Sequence, residues 1–270
     1  MAGGWRDIVD GIAEDVDLGA ARLLRDPRRK GGWTLLVEEV QQSYVDVRDP
    51  TYLSFEYTRR LASIVDTAAP AGRPLRVLHL GGGAFTMPRY VEATRPGSAQ
   101  VVVERDRRLA GFVQRVLPLG FELEIVFDDA RSAVAGWRAE DFDLVIGDVY
   151  VAAQMPESVS DVTFAVSVAR VLRPEGIYAV NVADLAPLAF SRGQAATLRT
   201  AFDDVCLVVR PELLRGRRFG NVVFAAALRA GRLPVARLAA MAGRDRQPAQ
   251  VVSGAGLDLL TEGTAPVVLD

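Results

Sequence analysis

The chain has 270 residues, of which 50% are hydrophobic and 24% are charged, and its 32 basic and 34 acidic residues give a net charge of −2. This composition is typical of a folded globular protein and excludes disordered and collagen-like chains. A single cysteine, Cys206, excludes an internal disulfide and a CxxC metal site. The near-neutral charge disfavours a nucleic-acid binder, and no apolar run reaches the roughly 18 residues of a membrane helix. We therefore expect a cytoplasmic protein that binds no nucleic acid, membrane or metal.

Residues 1–49 are predicted to form a small N-terminal β-domain with a hairpin around a polar turn. Its extended runs are residues 20–25, 33–37 and 43–47. Residues 50–74 are predicted to be a helix that opens at Pro50, followed by a linker rich in glycine and proline. The apolar side chains that recur there at helical spacing are Leu53, Tyr57, Leu61 and Ile64.

From residue 75 onward, buried strands alternate with amphipathic helices, which predicts βαβ units. The strands are predicted at 75–80, 100–104, 123–127, 142–148, 177–182, 205–209 and 221–225, and the helices at 88–94, 107–117, 132–137, 161–172 and 187–201. About ten residues join the last two strands, which is too short for a helical crossover, so we expect them to be antiparallel. The fold class is thus α/β, with a Rossmann-like, seven-stranded, mostly parallel sheet in a domain of residues 75–229. Residues 230–270 are predicted to be a helix and a tail.

Four successive strand ends carry residues suited to binding a nucleoside, and ligands of open α/β sheets bind at that edge. The first strand ends in Gly81-Gly82-Gly83, and the second is followed by Glu104. The glycines let the backbone approach a ligand closely, and an acid at the second position accepts hydrogen bonds from ribose hydroxyls.

The third strand is followed by Asp128-Asp129-Ala130, which is suited to the exocyclic amine of adenine, and the fourth by Asp148. The alternative is that these glycines and aspartates are ordinary turn residues. A nucleoside triphosphate is disfavoured because no lysine follows the glycines, and a nicotinamide dinucleotide is disfavoured because the third fingerprint glycine is missing. The only histidine, His79, lies within the first strand and, like Cys206, is expected to be a core residue.

In this order, these motifs resemble the spermidine synthase (polyamine aminopropyltransferase) family, which has the class I S-adenosylmethionine-dependent methyltransferase fold. The family motifs are G-G-G-D-G-G, E-x-D, G-D-A and D-S-x-D, and the counterparts here are Gly81-Gly82-Gly83, Glu104-Arg105-Asp106, Asp128-Asp129-Ala130 and the four residues from Asp148. The resemblance extends from about residue 23 to residue 227. It implies a donor that is S-adenosylmethionine or its decarboxylated form, contacted also by Gln42, and a catalytic role for Asp148 as general base. It also implies an acceptor pocket, for which the residues are Glu56, Val149, Tyr150 and Asn181.

Two acids of the family pattern are absent from this sequence. Ala84 stands for the aspartate of the glycine turn, and Val151 for the second aspartate of D-S-x-D. A buried ammonium group needs an opposing charge, so these losses argue against a standard diamine acceptor. The candidate replacements from the N-terminal segment are Glu38, Glu39 and Glu56.

The leading hypothesis is therefore a spermidine synthase-like transferase that transfers an alkyl group to a small-molecule acceptor; the resemblance implies that this group is aminopropyl and that the protein acts in polyamine biosynthesis. One alternative is an S-adenosylmethionine-dependent methyltransferase, and another is a non-catalytic nucleoside-binding homologue. Family members often assemble, and the N-terminal hairpin has unpaired edges, so we expect a homodimer or homotetramer.

Overall fold

A computed structural model describes residues 11–150, 155–216 and 219–269. The N-terminal part is an antiparallel sheet of four strands in sequential order. These are β1 (Gly11–Val16), β2 (Gly19–Arg25), β3 (Gly32–Val37) and β4 (Val40–Asp46). The sequence predicted three of them and missed β1. This edge strand buries only Val16, so it shows no apolar alternation to reveal it.

The first helix, α1 (Glu56–Ala68), begins six residues later than predicted. The carbonyl oxygens of Leu53 and Ser54 accept hydrogen bonds from the guanidinium groups of Arg59 and Arg246. These hydrogen bonds hold the backbone before α1 in a non-helical path, and α1 begins only after the two bonded carbonyl groups. Leu53 is buried against the same core as α1, which explains its apolar character.

The large sheet has eight strands in the order β12-β10-β11-β9-β8-β5-β6-β7. The strands are β5 (Arg76–Leu80), β6 (Ala99–Val103), β7 (Glu124–Val126), β8 (Phe142–Gly147), β9 (Leu172–Asp184), β10 (Asp204–Val209), β11 (Gly220–Ala227) and β12 (Gln250–Ser253). Strands β5 to β9 pair in parallel, whereas β11 is antiparallel to both β9 and β10. The mostly parallel α/β fold is confirmed, as is the antiparallel pairing of β10 with β11.

The sheet has one strand more than the seven predicted, because β12 lies in the segment predicted to be a helix and a tail. It pairs antiparallel with β10 at the edge of the sheet. Its four residues are too few to show a period, so no sequence pattern indicated this strand. The remaining helices are α2 (Thr86–Thr94), α3 (Arg107–Val116), α4 (Ala130–Gly136), α5 (Val162–Val171), α6 (Ala189–Leu198), α7 (Pro211–Leu214), α8 (Val235–Arg244) and α9 (Ala255–Thr261).

Apolar side chains fill both faces of the large sheet, and a third cluster joins the small sheet to α3. His79 is 1% exposed, and burial lowers its pKa to about 4, so the imidazole is neutral. Its Nε2 lies 2.9 Å from Oε1 of Gln100. Cys206 is fully buried, as expected of a core thiol. Within the described ranges, no helix is both long and apolar enough to cross a bilayer.

Candidate active site

A cavity of about 700 Å³ lies between β4, the start of α1 and the carboxyl ends of the strands of the large sheet. Every residue proposed for the site from the sequence lines this cavity. They are Gln42, Glu56, Gly81, Gly82, Gly83, Glu104, Asp128, Asp129, Ala130, Asp148, Val149, Tyr150 and Asn181. Residues from four separate strand ends therefore share one space, and their individual roles remain predictions.

The glycine turn brings the ends of β5 and β8 and the small sheet into close contact. Gly81 has φ +92°, and a Cβ there would collide with the carbonyl oxygen of Asp148 on the neighbouring strand. Gly83 has φ +49°, and its Cβ would collide with the hydroxyl of Ser43 on β4. That hydroxyl also accepts a hydrogen bond of 3.2 Å from the Ala84 amide. Side chains at these two positions would push apart the walls of the cavity.

Glu104 ties the glycine turn to the end of β6. Its Oε2 accepts a 2.8 Å hydrogen bond from the amide of Gly82, and its Oε1 accepts one of 2.8 Å from the amide of Asp106. A carboxylate has about four acceptor positions, so two remain for ribose hydroxyls. The same side chain can therefore shape the turn and bind a nucleoside.

Asp129 is the N-cap of α4. Its Oδ1 accepts hydrogen bonds from the amides of Arg131 and Ser132, at 2.9 and 3.4 Å. The Asp129 amide in turn donates to Oδ1 of Asp128 at 2.7 Å. The ordinary turn role that was the alternative in the sequence is thus present. Capping engages Oδ1, and Oδ2 is the atom suited to an adenine amine.

Asp148, at the end of β8, is the centre of a polar cluster. Its Oδ1 accepts a 3.0 Å hydrogen bond from Nδ2 of Asn181, and the Tyr150 hydroxyl donates to the Asn181 carbonyl at 3.1 Å. Burial raises the pKa of Asp148 to about 6, and hydrogen bonding from Asn181 and Tyr57 opposes that rise. Burial and the Asp148 charge in turn raise the pKa of Tyr57 well above its ordinary value, so this phenol stays protonated. A carboxylate with a pKa near neutrality is suited to accept a proton.

Asn181 presents a second acceptor atom beside Asp148. The carboxylate fixes the orientation of this amide, because only Nδ2 can donate to it. Asn181 is 2% exposed, and its Oδ1 has no hydrogen-bond partner among the described residues. Buried amide oxygens are nearly always hydrogen-bonded, so this atom is available to a donor group that enters the cavity.

Each acid considered as a replacement for the missing family carboxylates is engaged elsewhere. Oε1 of Glu38 accepts a 2.6 Å hydrogen bond from the Ala20 amide, and Glu39 forms an exposed ion pair with Arg22. Glu38 and Glu56 both line the cavity, and Glu56 lies between two guanidinium groups. Ala84 is fully buried, and position 151 lies outside the described residues.

Several further residues that line the cavity were not selected from the sequence, and three of them bear on the site: Ser43, Tyr57 and Arg210. Tyr57 was used only as one of the apolar residues whose spacing predicts α1. Its hydroxyl has two acceptors within reach, the carbonyl oxygen of Gln42 at 3.3 Å and the carboxylate of Asp148. Arg210 directly follows β10, so the argument from strand ends that selected Asp148 could have found it as well. For Ser43, on β4, the sequence offered no signal, since the packing of β4 on the glycine turn is a tertiary contact.

Comparison with solved structures gives a consistent picture. A probable spermidine synthase from Corynebacterium glutamicum superposes with a TM-score of 0.85 at 26% identity, covering 96% of each chain. The protein is spermidine synthase-like, with the S-adenosylmethionine methyltransferase fold. The spermidine synthase of Thermotoga maritima matches with a TM-score of 0.60 at 15% identity, over 84% of this chain and 74% of that one.

Human methyltransferase-like protein 13, in complex with SAH, has a TM-score of 0.52 at 19% identity, covering 79% of this chain and 93% of that one. No protein-family model matches the sequence, and neither does any curated protein. In the ranges that the structure describes, no three His, Cys, Asp or Glu side chains are grouped to hold a metal ion.

Proposed function

We propose that this spermidine synthase-like protein is an alkyltransferase that takes an adenosyl sulfonium donor and alkylates an amine. The observation that carries the proposal is Asp148, whose pKa of about 6 places a proton acceptor beside the glycine turn. An amine must lose a proton to be a nucleophile, and a general base is most effective when its pKa is near the working pH.

The residues at the strand ends suit the donor's adenosine portion. Glu104 offers two acceptor positions for ribose hydroxyls, and Asp129 offers one for the adenine amine. The Gly81–Gly83 turn keeps the floor between them free of side chains, so that the backbone can approach the ligand. S-adenosylmethionine and its decarboxylated form share this portion, and either one supplies a carbon activated by the adjacent sulfonium.

The reaction is a single displacement at that carbon. The nitrogen lone pair of the acceptor forms the new N–C bond while the C–S bond breaks, and the electron pair leaves with sulfur as a neutral thioether. The amine proton passes to Asp148. Asn181 fixes the carboxylate through its Nδ2 and presents Oδ1 to a second N–H of the amine.

Aminopropyl transfer is the form of the reaction that the resemblance to spermidine synthases favours. Methyl transfer is the second candidate, supported by the same fold in a methyltransferase that binds SAH. Both are displacements at carbon next to sulfur, and they differ in which carbon the amine attacks. They leave different products, since aminopropyl transfer releases methylthioadenosine and methyl transfer from S-adenosylmethionine releases S-adenosylhomocysteine.

The product therefore tests the proposal. The protein is incubated with each donor and a mixture of amine acceptors, and the adenosyl product is identified by chromatography and mass spectrometry. We expect methylthioadenosine from the decarboxylated donor, and none above background from Asp148→Asn. Asp203→Asn, which changes an exposed aspartate before β10, is the matched control and should retain activity. S-adenosylhomocysteine would instead establish methyl transfer. If donors bind and no product forms with a broad set of amines, the protein is a nucleoside-binding homologue and the proposal is wrong.

A further inference from the structure

We propose that the acceptor carries a carboxylate, which binds to Arg210, so that the substrate is an amino acid with separated ends rather than a diamine. The inference rests on the proposed function and names the substrate class of the same cavity. It is drawn from the charges at the end of the cavity formed by α1 and the loop after β10.

Glu56, the acid of α1 that lines the cavity, is paired with two guanidinium groups, of which only that of Arg210 belongs to a lining residue. Its Oε2 lies 3.4 Å from Arg60 and 3.5 Å from Arg210. Arg60 is 4% exposed and also donates a 2.9 Å hydrogen bond to the carbonyl oxygen of Asn221. Arg60 thus already neutralises Glu56, and Arg210 is the cationic group that this wall presents to the cavity, where it repels a second cation.

Arg210 is held loosely compared with its neighbour Arg59. The guanidinium of Arg59 forms two short bonds with Asp245, of 2.6 and 3.0 Å. Arg210 contacts Glu56 and Glu212 through single long contacts of 3.5 and 3.3 Å, and the side chain of Glu212 is 38% exposed. A guanidinium binds a carboxylate best through two parallel N–H···O bonds, and Arg210 has no such partner among the described residues.

The end of the cavity at Asp148 has the opposite polarity. There the carboxylate and the unpartnered Oδ1 of Asn181 both accept hydrogen bonds, as an amine requires. The cavity thus offers acceptors at one end and a guanidinium at the other. A diamine would set its second ammonium against Arg210, whereas an amino acid has a group of the correct charge for each end.

The test compares probes that differ only in the distal group. Binding of 4-aminobutanoate and 1,4-diaminobutane, and of their homologues one carbon shorter and longer, is measured by calorimetry with the protein saturated with methylthioadenosine. The protein is the wild type, Arg210→Gln, Arg210→Lys and Arg210→Glu. Arg199→Gln, which removes an exposed ion pair with Asp258, is the matched control.

We expect the wild type and the control to bind an amino acid at least about tenfold more tightly than the diamine of equal length. Loss of a hydrogen-bonded charge pair should weaken amino acid binding by about 10- to 100-fold in Arg210→Gln. Arg210→Lys should retain part of it, and Arg210→Glu should reverse the preference. Methylthioadenosine binding should be equal in all variants, which also shows that they are folded.

Tighter binding of the diamine by the wild type would overturn the inference. So would the failure of every amino acid probe to bind, or unchanged amino acid binding in Arg210→Gln. Failure of methylthioadenosine itself to bind the wild type would be a different result, since it would refute the proposed function as a whole.

Discussion

The carboxylate of Asp148 should weaken the folded state at neutral pH, and Asp148→Asn should reveal by how much. Burial raises its pKa from the ordinary 3.8 to about 6. A carboxyl group with a higher pKa in the folded than in the unfolded chain stabilises the fold fully below the unfolded value. That contribution is lost as the pH rises through about 6.

The magnitude follows from the difference of about two pKa units, at about 1.4 kcal/mol per unit, which gives about 3 kcal/mol above pH 7. An asparagine has nearly the same shape, its Oδ1 can accept the hydrogen bond from Asn181, and it has no charge to desolvate. We therefore expect Asp148→Asn to raise the free energy of unfolding by about 1 to 3 kcal/mol at pH 8 and by little at pH 4, while it abolishes transfer.

Urea denaturation of both proteins at pH 4, 6 and 8 measures this difference. Groups that titrate equally in the two proteins cancel when one is subtracted from the other. Asp203→Asn serves as the control, because its side chain is exposed and its difference from the wild type should not change with pH. An Asp148→Asn protein that is no more stable than the wild type at pH 8 would mean that the carboxylate is well solvated, and the argument for a poised base would fail.

Four further outcomes are expected. In the active enzyme kcat/KM should fall as the pH drops through about 6, because protonated Asp148 cannot accept the amine proton, and an acid limb near pH 4 would contradict this. Gly81→Ala should destabilise the fold by more than Gly72→Ala, measured by thermal unfolding; both positions have positive φ, but only at Gly81 does a Cβ meet backbone, so equal losses would refute the close contact of β5 with β8. Glu104→Gln should weaken donor binding by about 10- to 100-fold in calorimetry, since an amide accepts hydrogen bonds through its oxygen and not through its nitrogen. Unchanged affinity would mean that Glu104 does not bind the ribose. Asp129→Ala should cost about 1 kcal/mol of stability through the lost cap of α4 and should weaken adenosine binding as well; loss of stability alone would leave only the turn role.

The sequence predicted those parts of the molecule that local pattern determines. Apolar runs marked the central strands because these are buried on both faces, and the strand ends then indicated residues that line the cavity. The edge strands β1 and β12 were missed, since an exposed or four-residue strand shows too little alternation. The predicted number of strands was therefore too low, because these edge strands are stabilised by pairing with a neighbouring strand and not by a local sequence pattern.

The acceptor end of the site shows a second limit. Glu56 was considered as a possible anion for an amine, yet the structure sets it against Arg60 and Arg210. Arg210 is more than 150 positions away in the chain, so no local pattern could reveal that pairing. The place of Tyr57 in the cavity could not be predicted either. Helical spacing indicates which face of α1 is buried, but it does not show whether a cavity lies against that face.

The central claim is that the cavity binds an adenosyl sulfonium donor, and calorimetry tests it most directly. S-adenosylmethionine, its decarboxylated form and methylthioadenosine are titrated in parallel into the wild type and into Glu104→Gln. The account predicts that the wild type binds at least one donor together with the nucleoside product, and that Glu104→Gln weakens them all because they share the ribose. If none of the three binds to the folded wild type, the strand ends form no nucleoside site, and the account is wrong.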